Sequence, residues 1–288
     1  MNDYLRLLSK IEIHSTFWIV LGIGVLTAQF IPLCMLFLII LVHELGHAAA
    51  ARYFSWRIKA IRLLPFGGAL VTEEHGNRAL KEELAVTLAG PLQHVWLCGV
   101  SYILYQADVI MLDAFQDFFY MNLVIFLFNL LPIWPLDGGR LMLILLSAWL
   151  PFLEAHKYTV YASFLFAGTG IAACLVFAPL NLNMWAMALF ILFSLFAEWK
   201  QRHYVFVRFL LERHYGRNAG FKTLKPLHAD VTETITDVLS RFQKGCKHPI
   251  VIVKEGKERG VLDENEILHA YFTDKLIHIK MDDLLYSY

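Results

Sequence analysis

Two imidazoles and one carboxylate stand inside an apolar run, FIPLCMLFLIILVHELGHAAAARYF (30–54). His43 and His47 are four residues apart, so on a helix their side chains lie one above the other on the same face. Such a pair suits one Zn²⁺ ion, which imidazole nitrogens hold at about 2.0–2.1 Å. Glu44 stands next to His43 and can take a proton from an attacking water, as in other H-E-x-x-H sites. The motif therefore predicts zinc-assisted hydrolysis.

The apolar surroundings of this motif argue against a chance match. An ionised carboxylate beside two imidazoles is costly in lipid unless a cation offsets its charge. A divalent ion would supply that charge. The alternative is a polar cluster that joins helices and binds no metal.

A catalytic zinc site needs a third protein ligand and one open position. The segment FNLLPIWPLDGGR (128–140) offers Asp137 at the end of a second apolar run. Prolines and glycines break the helix there, so the carboxylate can turn inward, and it is compatible with two imidazoles. The same side chain can also cap the next short helix. Asn129 and Pro135 are predicted substrate contacts, although a lone Asn in a span can serve only to join helices.

Composition divides the chain into a lipid-solvated part and a water-solvated part. The 288 residues are 58% hydrophobic and 17% charged, and the last 88 residues hold more than half of the 50 charged side chains. The first two thirds are therefore predicted to lie in a membrane. The net charge is zero, so no global basic field points to nucleic-acid binding.

Several apolar windows are long enough to cross a hydrocarbon core of about 30 Å. They lie at about 13–30, 31–54, 84–106, 118–135, 158–178 and 182–199. Lys and Arg flank only one set of the loops, which predicts that both termini are cytoplasmic. A shorter apolar piece, 141–152, is expected to form a helix that continues inward from the fourth span. The expected fold is a polytopic α-helical membrane protein with six transmembrane helices.

Residues 56–72, WRIKAIRLLPFGGALVT, fit neither a span nor a solvated loop. They predict one or two short strands that dip into the membrane, where non-helical backbone must lie against protein or water. The part from 58 to 71 could take a substrate segment as an added strand, with Phe66 and Gly67 as predicted contacts. The alternative is an interfacial loop held by snorkelling basic side chains.

The end of the chain has a different pattern. Residues 201–221 are rich in basic and aromatic side chains and predict an amphipathic linker on the membrane surface. Residues 222–288 predict a small α+β domain in α-β-β-α order, which a short strand can precede. The expected division is therefore a membrane domain over 1–200, this linker, and one soluble domain.

Three elements occur in the order typical of the site-2 protease family of intramembrane metalloproteases. They are HELGH (43–47), AGP (89–91) and N-L-L-P…PLDGG (129–139). The chain resembles that family over about residues 10–200. The resemblance implies peptide hydrolysis within or near the bilayer.

The family likeness also implies a set of site residues. The implied ligands of one Zn²⁺ are His43, His47 and Asp137. Glu44 is the implied general base. The family usually has Asn a few residues after AGP, and here Gln93 and His94 stand in that region, so the role of this position stays open. His94 is either a neighbour of the site or a packing residue.

The tail resembles a single CBS module, a regulatory fold that often binds adenine nucleotides. GVLDENE (260–266) stands where that fold has G-[IV]-x-[ST]-x-x-D. The resemblance implies ATP as a ligand near Asp263 and Glu266, and pairing between two protomers, because CBS modules work in pairs. The alternative is a plain oligomerisation module.

Six spans followed by one CBS module resemble the sporulation members of the same family. That likeness implies a sigma-factor precursor as the membrane-associated substrate, inhibitory membrane partners, and a place in the mother-cell membrane around the forespore. A zinc transporter or carrier without proteolytic activity is the alternative, because intramembrane His and Asp occur in transporters too. The last two spans lack acidic or imidazole side chains in their middle, which favours hydrolysis.

Overall fold

The described part of the chain contains helices at every predicted span. A computed structural model of the protein describes residues 7, 9–13, 15–64, 67–72, 78–216 and 223–285. In these residues the helices are α1 (Ser15–Leu26), α2 (Phe30–Tyr53), α3 (Leu80–Gln106), α4 (Leu112–Asn129), α5 (Asp137–Ser147), α6 (Phe152–Phe177), α7 (Leu182–Tyr215), α8 (Ile235–Ser240), α9 (Glu264–Phe272) and α10 (Met281–Leu285). The strands are β1 (Ile11–Ile13), β2 (Ile58–Leu64), β3 (Gly67–Thr72), β4 (Leu227–Asp230), β5 (Ile250–Lys254) and β6 (Lys257–Leu262).

Among the described residues, four helices, α2, α3, α6 and α7, are long and apolar enough to cross a membrane. A helix is the natural form of such segments, because it pairs backbone N–H and C=O groups that lipid cannot hydrogen-bond. The other two predicted spans are also helical. However, α1 has only 12 residues, and α4 carries Asp113 and Asp117 in its first half. By length and composition, four of the six predicted spans are supported.

The short helix expected after the fourth span is present as α5, which starts earlier than predicted, at Asp137. Two glycines allow that start. A Cβ on Gly138 would lie 2.2 Å from the carbonyl oxygens of Leu130 and Leu131, and one on Gly139 would lie 2.6 Å from a backbone nitrogen. Real Cβ atoms do not come that close, so the glycine pair lets the first turn of α5 press against the preceding loop.

The strands predicted within residues 56–72 are confirmed as the antiparallel pair β2 and β3. Residues 65 and 66, which join them, lie outside the described residues, and so does the predicted contact Phe66. Sequence analysis missed β1, which pairs in parallel with β2. A three-residue strand is too short to display a period-2 pattern, so its presence depends on the neighbouring strand.

This sheet packs on the second half of α2. The shared core is fully apolar and consists of Leu7, Ala48, Ala51, Trp56, Ile58, Ile61, Leu70 and Val86. Trp56 also donates a hydrogen bond from Nε1 to Glu82 Oε2 at 3.2 Å. The hairpin is therefore held against the helix segment that carries the H-E-x-x-H motif.

The tail has the predicted α-β-β-α order, and a strand precedes it, as the sequence allowed. Its sheet has the order β4-β5-β6, with β4 parallel and β6 antiparallel to β5. Asp263 caps α9, since its side chain accepts from the backbone N–H of Asn265 at 2.8 Å. Glu266 completes the capping box by accepting from the N–H of Asp263 at 2.8 Å. Both carboxylates expected near a nucleotide thus stabilise a helix start.

Helix α7 continues without a break from its apolar half into the stretch predicted as an amphipathic linker. Near the end of α7 the buried Arg213 forms a bidentate ion pair with Glu264 of the tail. Its Nε lies 2.6 Å from Oε1 and its Nη2 lies 2.8 Å from Oε2. The same guanidinium donates to the carbonyls of Gln243 and Cys246. A buried guanidinium is stable only when its donors are paired in this way, so the end of α7 is fixed to the tail.

The chain divides into two compact units whose boundaries run through the long helices. One unit comprises 1–73, 82–141 and 163–192, and the other 74–81, 142–162 and 193–288. The H-E-x-x-H motif and Asp137 belong to the first. The whole tail belongs to the second, together with the adjoining ends of α6 and α7.

His248 of the tail is fully buried and bonded as a neutral imidazole. Its Nδ1 lies 2.8 Å from the carbonyl oxygen of Lys225, and its Nε2 accepts from the backbone N–H of Gln243 at 2.9 Å. Burial away from water lowers the pKa of His248 below its usual value. His248 therefore binds a proton less readily in the folded tail than in the unfolded chain.

We expect the tail to lose stability as the pH falls below about 6.5, the ordinary pKa of histidine. Above that pH neither state is protonated at His248, and the stabilisation is complete. The opening free energy of the β5 and β6 amides, measured by hydrogen exchange on the full chain and corrected for intrinsic rates, should decrease with falling pH. His248→Gln should flatten this decrease, whereas His228→Gln, at an exposed position on β4, should leave it unchanged. Equal slopes in all three proteins would contradict the assignment.

Candidate metal centre

The three predicted ligands meet in the structure although Asp137 comes from a distant segment. The Oδ2 atom of Asp137 lies 3.0 Å from His43 Nε2 and 3.1 Å from His47 Nε2. The two imidazole Nε2 atoms are 3.0 Å apart. All three side chains are buried. The sequence-based grouping of these residues is therefore supported by their positions.

This arrangement of donor atoms fits a single cation. Ligands held at 2.0–2.1 Å around a tetrahedral ion are roughly 3.3 Å apart, close to the separations between these three atoms. Two imidazole nitrogens and one carboxylate oxygen are a common donor set for zinc in hydrolytic sites. Three ligands also leave one position open for water or substrate. The side chains that would hold Zn²⁺ are thus His43, His47 and Asp137.

Hydrogen bonds on the far side of each imidazole aim Nε2 at the common point. The Nδ1 atom of His47 lies 2.8 Å from the carbonyl oxygen of Val86, to which an N–H can donate. The Nδ1 atom of His43 lies 3.0 Å from Nε2 of His94. With a hydrogen on Nδ1 in both rings, the Nε2 lone pairs would face a bound ion. Such outer partners orient metal-binding histidines and strengthen them as ligands.

His94 is a neighbour of the site and does not belong to the ligand group. Its Nδ1 lies 2.7 Å from Asn122 Oδ1, and Asn122 Nδ2 donates to the carbonyl oxygen of His94 at 2.9 Å. A chain of hydrogen bonds thus runs from His43 through His94 to Asn122. Sequence analysis missed Asn122. The available signal was a second Asn in the apolar run of α4, besides Asn129, which by itself does not distinguish helix joining from support of a site.

Glu44 is buried beside the ligands, and its Oε2 atom has no hydrogen-bond partner among the described residues. A buried carboxylate oxygen without a partner is costly, unless a cation or water accompanies it. The hairpin comes very close to this side chain, since a Cβ on Gly68 would lie 2.3 Å from Glu44 Cγ. The second glycine of PFGG thus makes room for Glu44.

Two further glycines let α3 approach the motif. A Cβ on Gly46 would lie 2.6 Å from the carbonyl oxygen of Ala89, so α2 and α3 touch at their backbones. A Cβ on Gly90 would lie 2.2 Å from Nε2 of His47. Small residues permit such close helix crossings in membranes. The AGP element therefore leaves space at the nitrogen that would bind the metal.

The remaining residues singled out by sequence occupy less defined positions. Asn129 is half-buried at the end of α4, and Pro135 is half-buried in the loop before α5. Gly67 opens β3 with φ at +150°, a value that favours glycine. Gln93 bonds within its own helix, donating to the carbonyl oxygen of Ala89 and accepting from Trp96. Substrate contact by Asn129, Pro135 and Gly67 stays a prediction.

We expect Gly90→Ala to weaken zinc binding, because the new methyl group would overlap the ligand nitrogen of His47. A loss of roughly 10- to 100-fold in affinity is typical when the support of a metal ligand is disturbed. Zinc retained by the purified full chain against a competing chelator measures this effect. Gly99→Ala in the same helix is the matched control, since a Cβ there has nothing within 4 Å. Equal zinc retention in both variants would argue against the geometry described.

Comparisons with known proteins agree with this geometry. The profile of peptidase family M50 matches residues 31–111 and 105–169. Stage IV sporulation protein FB of Bacillus subtilis (strain 168) is 48% identical over 288 residues, covering all of both chains. Zinc metalloprotease MJ0392 of Methanocaldococcus jannaschii is 26% identical over 277 residues, which is 91% of this chain and 78% of that protein.

A solved structure, the site-2 protease from Methanocaldococcus jannaschii, has the same fold over much of the chain. The TM-score is 0.54 with 27% sequence identity, and the match covers 65% of this chain and 89% of the other. The regions that match the M50 profile contain the H-E-x-x-H motif and Asp137. The chain belongs to peptidase family M50, the site-2 protease family of intramembrane metalloproteases.

Proposed function

We propose that the chain uses one Zn²⁺ to hydrolyse a peptide bond of a membrane-associated protein near the cytoplasmic face. The observation that carries this proposal is the convergence of His43, His47 and Asp137 with Glu44 beside them. Membership of the M50 family supports peptide hydrolysis. A protein named zinc metalloprotease, in Methanocaldococcus jannaschii, is among its relatives.

The division of labour at the site follows from the chemistry of each group. When bound, zinc supplies a Lewis acid that acidifies water and polarises a carbonyl. The Glu44 carboxylate would take the proton of the attacking water and pass it to the leaving amine. The two imidazoles and Asp137 would hold the ion, and the apolar surroundings would keep bulk water away, which strengthens each electrostatic interaction.

The roles of Glu44 and Asp137 can be separated by measuring zinc and turnover together. Glu44→Gln should keep bound zinc and lose turnover by about 10²–10⁴-fold, the usual contribution of a general base. Asp137→Asn should lose both, because the third ligand is weakened. The assay is cleavage of a membrane-tethered substrate by the purified full chain, with zinc content determined by mass spectrometry.

Asp117→Asn, on the exposed face of α4, is the matched amide control and should retain both properties. Near-normal turnover in Glu44→Gln would end the assignment of the base. Zinc flux into vesicles without any proteolysis would instead support the alternative of a zinc transporter or carrier.

We infer that six helices cross the membrane, with α1 and α4 as the two shorter spans, and that both termini are cytoplasmic. The placement of Lys and Arg in the loops supports this topology. Both halves of the metal centre then lie at the cytoplasmic ends of their spans. The hairpin of β2 and β3 would dip toward the site from that side.

We also infer that the substrate docks as a strand along β3. A helical peptide carbonyl is already hydrogen-bonded and shielded, so the substrate must be extended before attack. Within the described residues β3 has a neighbouring strand on one side only, and its Gly68 lies against Glu44. An added strand on β3 would therefore bring a backbone carbonyl close to the proposed base.

Cysteine crosslinking can test this docking. The background carries Glu44→Gln, which traps uncleaved substrate, and Cys34→Ser, which removes an exposed thiol. In this background, Ala69→Cys on β3 should crosslink to cysteines placed around the scissile bond. The expected pattern alternates along the substrate with period two, as in a strand. Glu12→Cys on β1, at the other end of the sheet, is the control. Equal yields from both sites would remove the docking model.

The substrate class follows from the sporulation likeness. Stage IV sporulation protein FB matches this chain from end to end, which supports a role in sporulation. We infer a sigma-factor precursor as substrate, membrane proteins as inhibitory partners, and a location in the mother-cell membrane around the forespore.

We infer that the domains are 1–200, the linker 201–221 and a CBS module over 222–288. The observed α-β-β-α order with a preceding strand supports that assignment of the tail. Pairing between protomers through this module, and ATP binding at Asp263 and Glu266, remain predictions. Both carboxylates already cap α9, so ATP binding must leave those bonds in place or replace them. Calorimetric titration of the full chain with ATP distinguishes nucleotide binding from oligomerisation alone.

A further inference from the structure

A cavity away from the metal centre lies between the beginning of α6 and the middle of α7. Its volume is about 300 Å³, which is large enough for a small polar group. The lining residues are Leu153, His156, Lys157, Val160, Tyr161, Trp199, Arg202 and His203. All of them belong to the compact unit that contains the tail. Neither the protease chemistry nor the proposed docking strand uses this cavity.

The cavity lies at a membrane boundary. Helices α6 and α7 are joined at residues 178–181, and no Asp, Glu, Lys, Arg or His occurs from 158 to 197. Lys157 is 20 residues before the end of α6, and Arg202 is 20 residues after the start of α7. At 1.5 Å per residue, both positions are about 30 Å from the connection, which is the thickness of the hydrocarbon core.

The charged lining is positive. Lys157 and Arg202 each bring a permanent charge, and none of the lining side chains is a carboxylate. Glu198, which follows the apolar stretch of α7, is already paired with Nε2 of His156 at 2.8 Å. The cavity therefore offers cations to an anionic group.

Aromatic rings support both cations. The Lys157 ammonium lies 5.7 Å from the centre of the Tyr161 ring, and the Arg202 guanidinium lies 5.3 Å from that of Trp199. Cation–π contacts restrict such side chains to fewer positions. Tyr and Trp also favour the depth of lipid headgroups. The cavity thus combines an anion-binding end with an apolar wall at headgroup level.

We propose that this cavity binds one anionic glycerophospholipid, with the phosphate between Lys157 and Arg202. The glycerol and upper acyl carbons would lie along Leu153, Val160 and the two aromatic rings. A phospholipid fits better than free phosphate, because much of the lining is apolar. It fits better than an acidic protein segment, because the cavity is small and lies where phosphates of the bilayer are already concentrated.

Native mass spectrometry of the full chain, released from nanodiscs of phosphatidylglycerol or of phosphatidylcholine, tests this site. We expect one phosphatidylglycerol molecule to be retained after mild delipidation, and none of phosphatidylcholine. Lys157→Gln with Arg202→Gln should weaken retention about 30-fold, since each basic residue near an anionic lipid surface contributes about five-fold. Lys200→Gln, an exposed cation on α7 outside the lining, should have little effect.

A second variant separates the cavity from general surface charge. Val160→Trp fills the space without altering charge and should also displace the lipid, while the protein keeps its zinc. Equal retention of both lipids, or retention that only Lys200→Gln reduces, would overturn the proposal. Displacement of the lipid by inorganic phosphate alone would indicate a free-anion site, and displacement by an acidic peptide alone would indicate a protein-binding site. Both results would contradict it.

Discussion

The structure depends on the pairing of charged groups that have been removed from water. His43, Glu44, His47 and Asp137 are buried together, and each alone would be very costly in an apolar environment. A cation held by His43, His47 and Asp137 would offset the carboxylate charge, and Glu44, outside this ligand group, would then be available to exchange protons. The burial that makes these four side chains energetically unfavourable would therefore also make the site reactive. Hydrolysis needs a site shielded from bulk water with one coordination position open to water, and three protein ligands on a bound ion would leave such a position.

Backbone contacts determine how closely these groups can approach. Gly46, Gly68 and Gly90 stand where α2 meets α3 and the hairpin, and any larger residue would collide with His47, Glu44 or a backbone carbonyl. A longer side chain could span a wider gap between helices, but it would hold its functional group less precisely. Because the helices cross closely, Val86 and His94 lie within hydrogen-bonding distance of the two imidazoles. The small residues thus set the distances within the cluster, although they contribute no chemical group.

The second compact unit follows the same rule of paired charge in a different environment. Arg213 is buried against Glu264 and two carbonyls, which fixes the tail to the end of α7. Removing one partner of such a pair typically costs about 3–5 kcal/mol, so this joint is expected to be rigid. Through a rigid joint, a ligand that binds the tail could affect the position of the end of α7. The cavity proposed to bind a lipid borders the same helix through Trp199 and Arg202, so membrane composition would then affect this unit as well.

The sequence alone determined the chemistry and most of the elements. The i, i+4 spacing of His43 and His47 in an apolar helix specifies their common face, and the apolar windows specify the long helices, because both signals are local. Tertiary structure decided what depends on distant segments. The hydrogen-bonded chain from His43 through His94 to Asn122, the pairing of β1 with β2, and the contact between Gly68 and Glu44 join residues separated by 24 to 51 positions. No local pattern encodes those distances, since they arise only when separate helices and strands pack against one another.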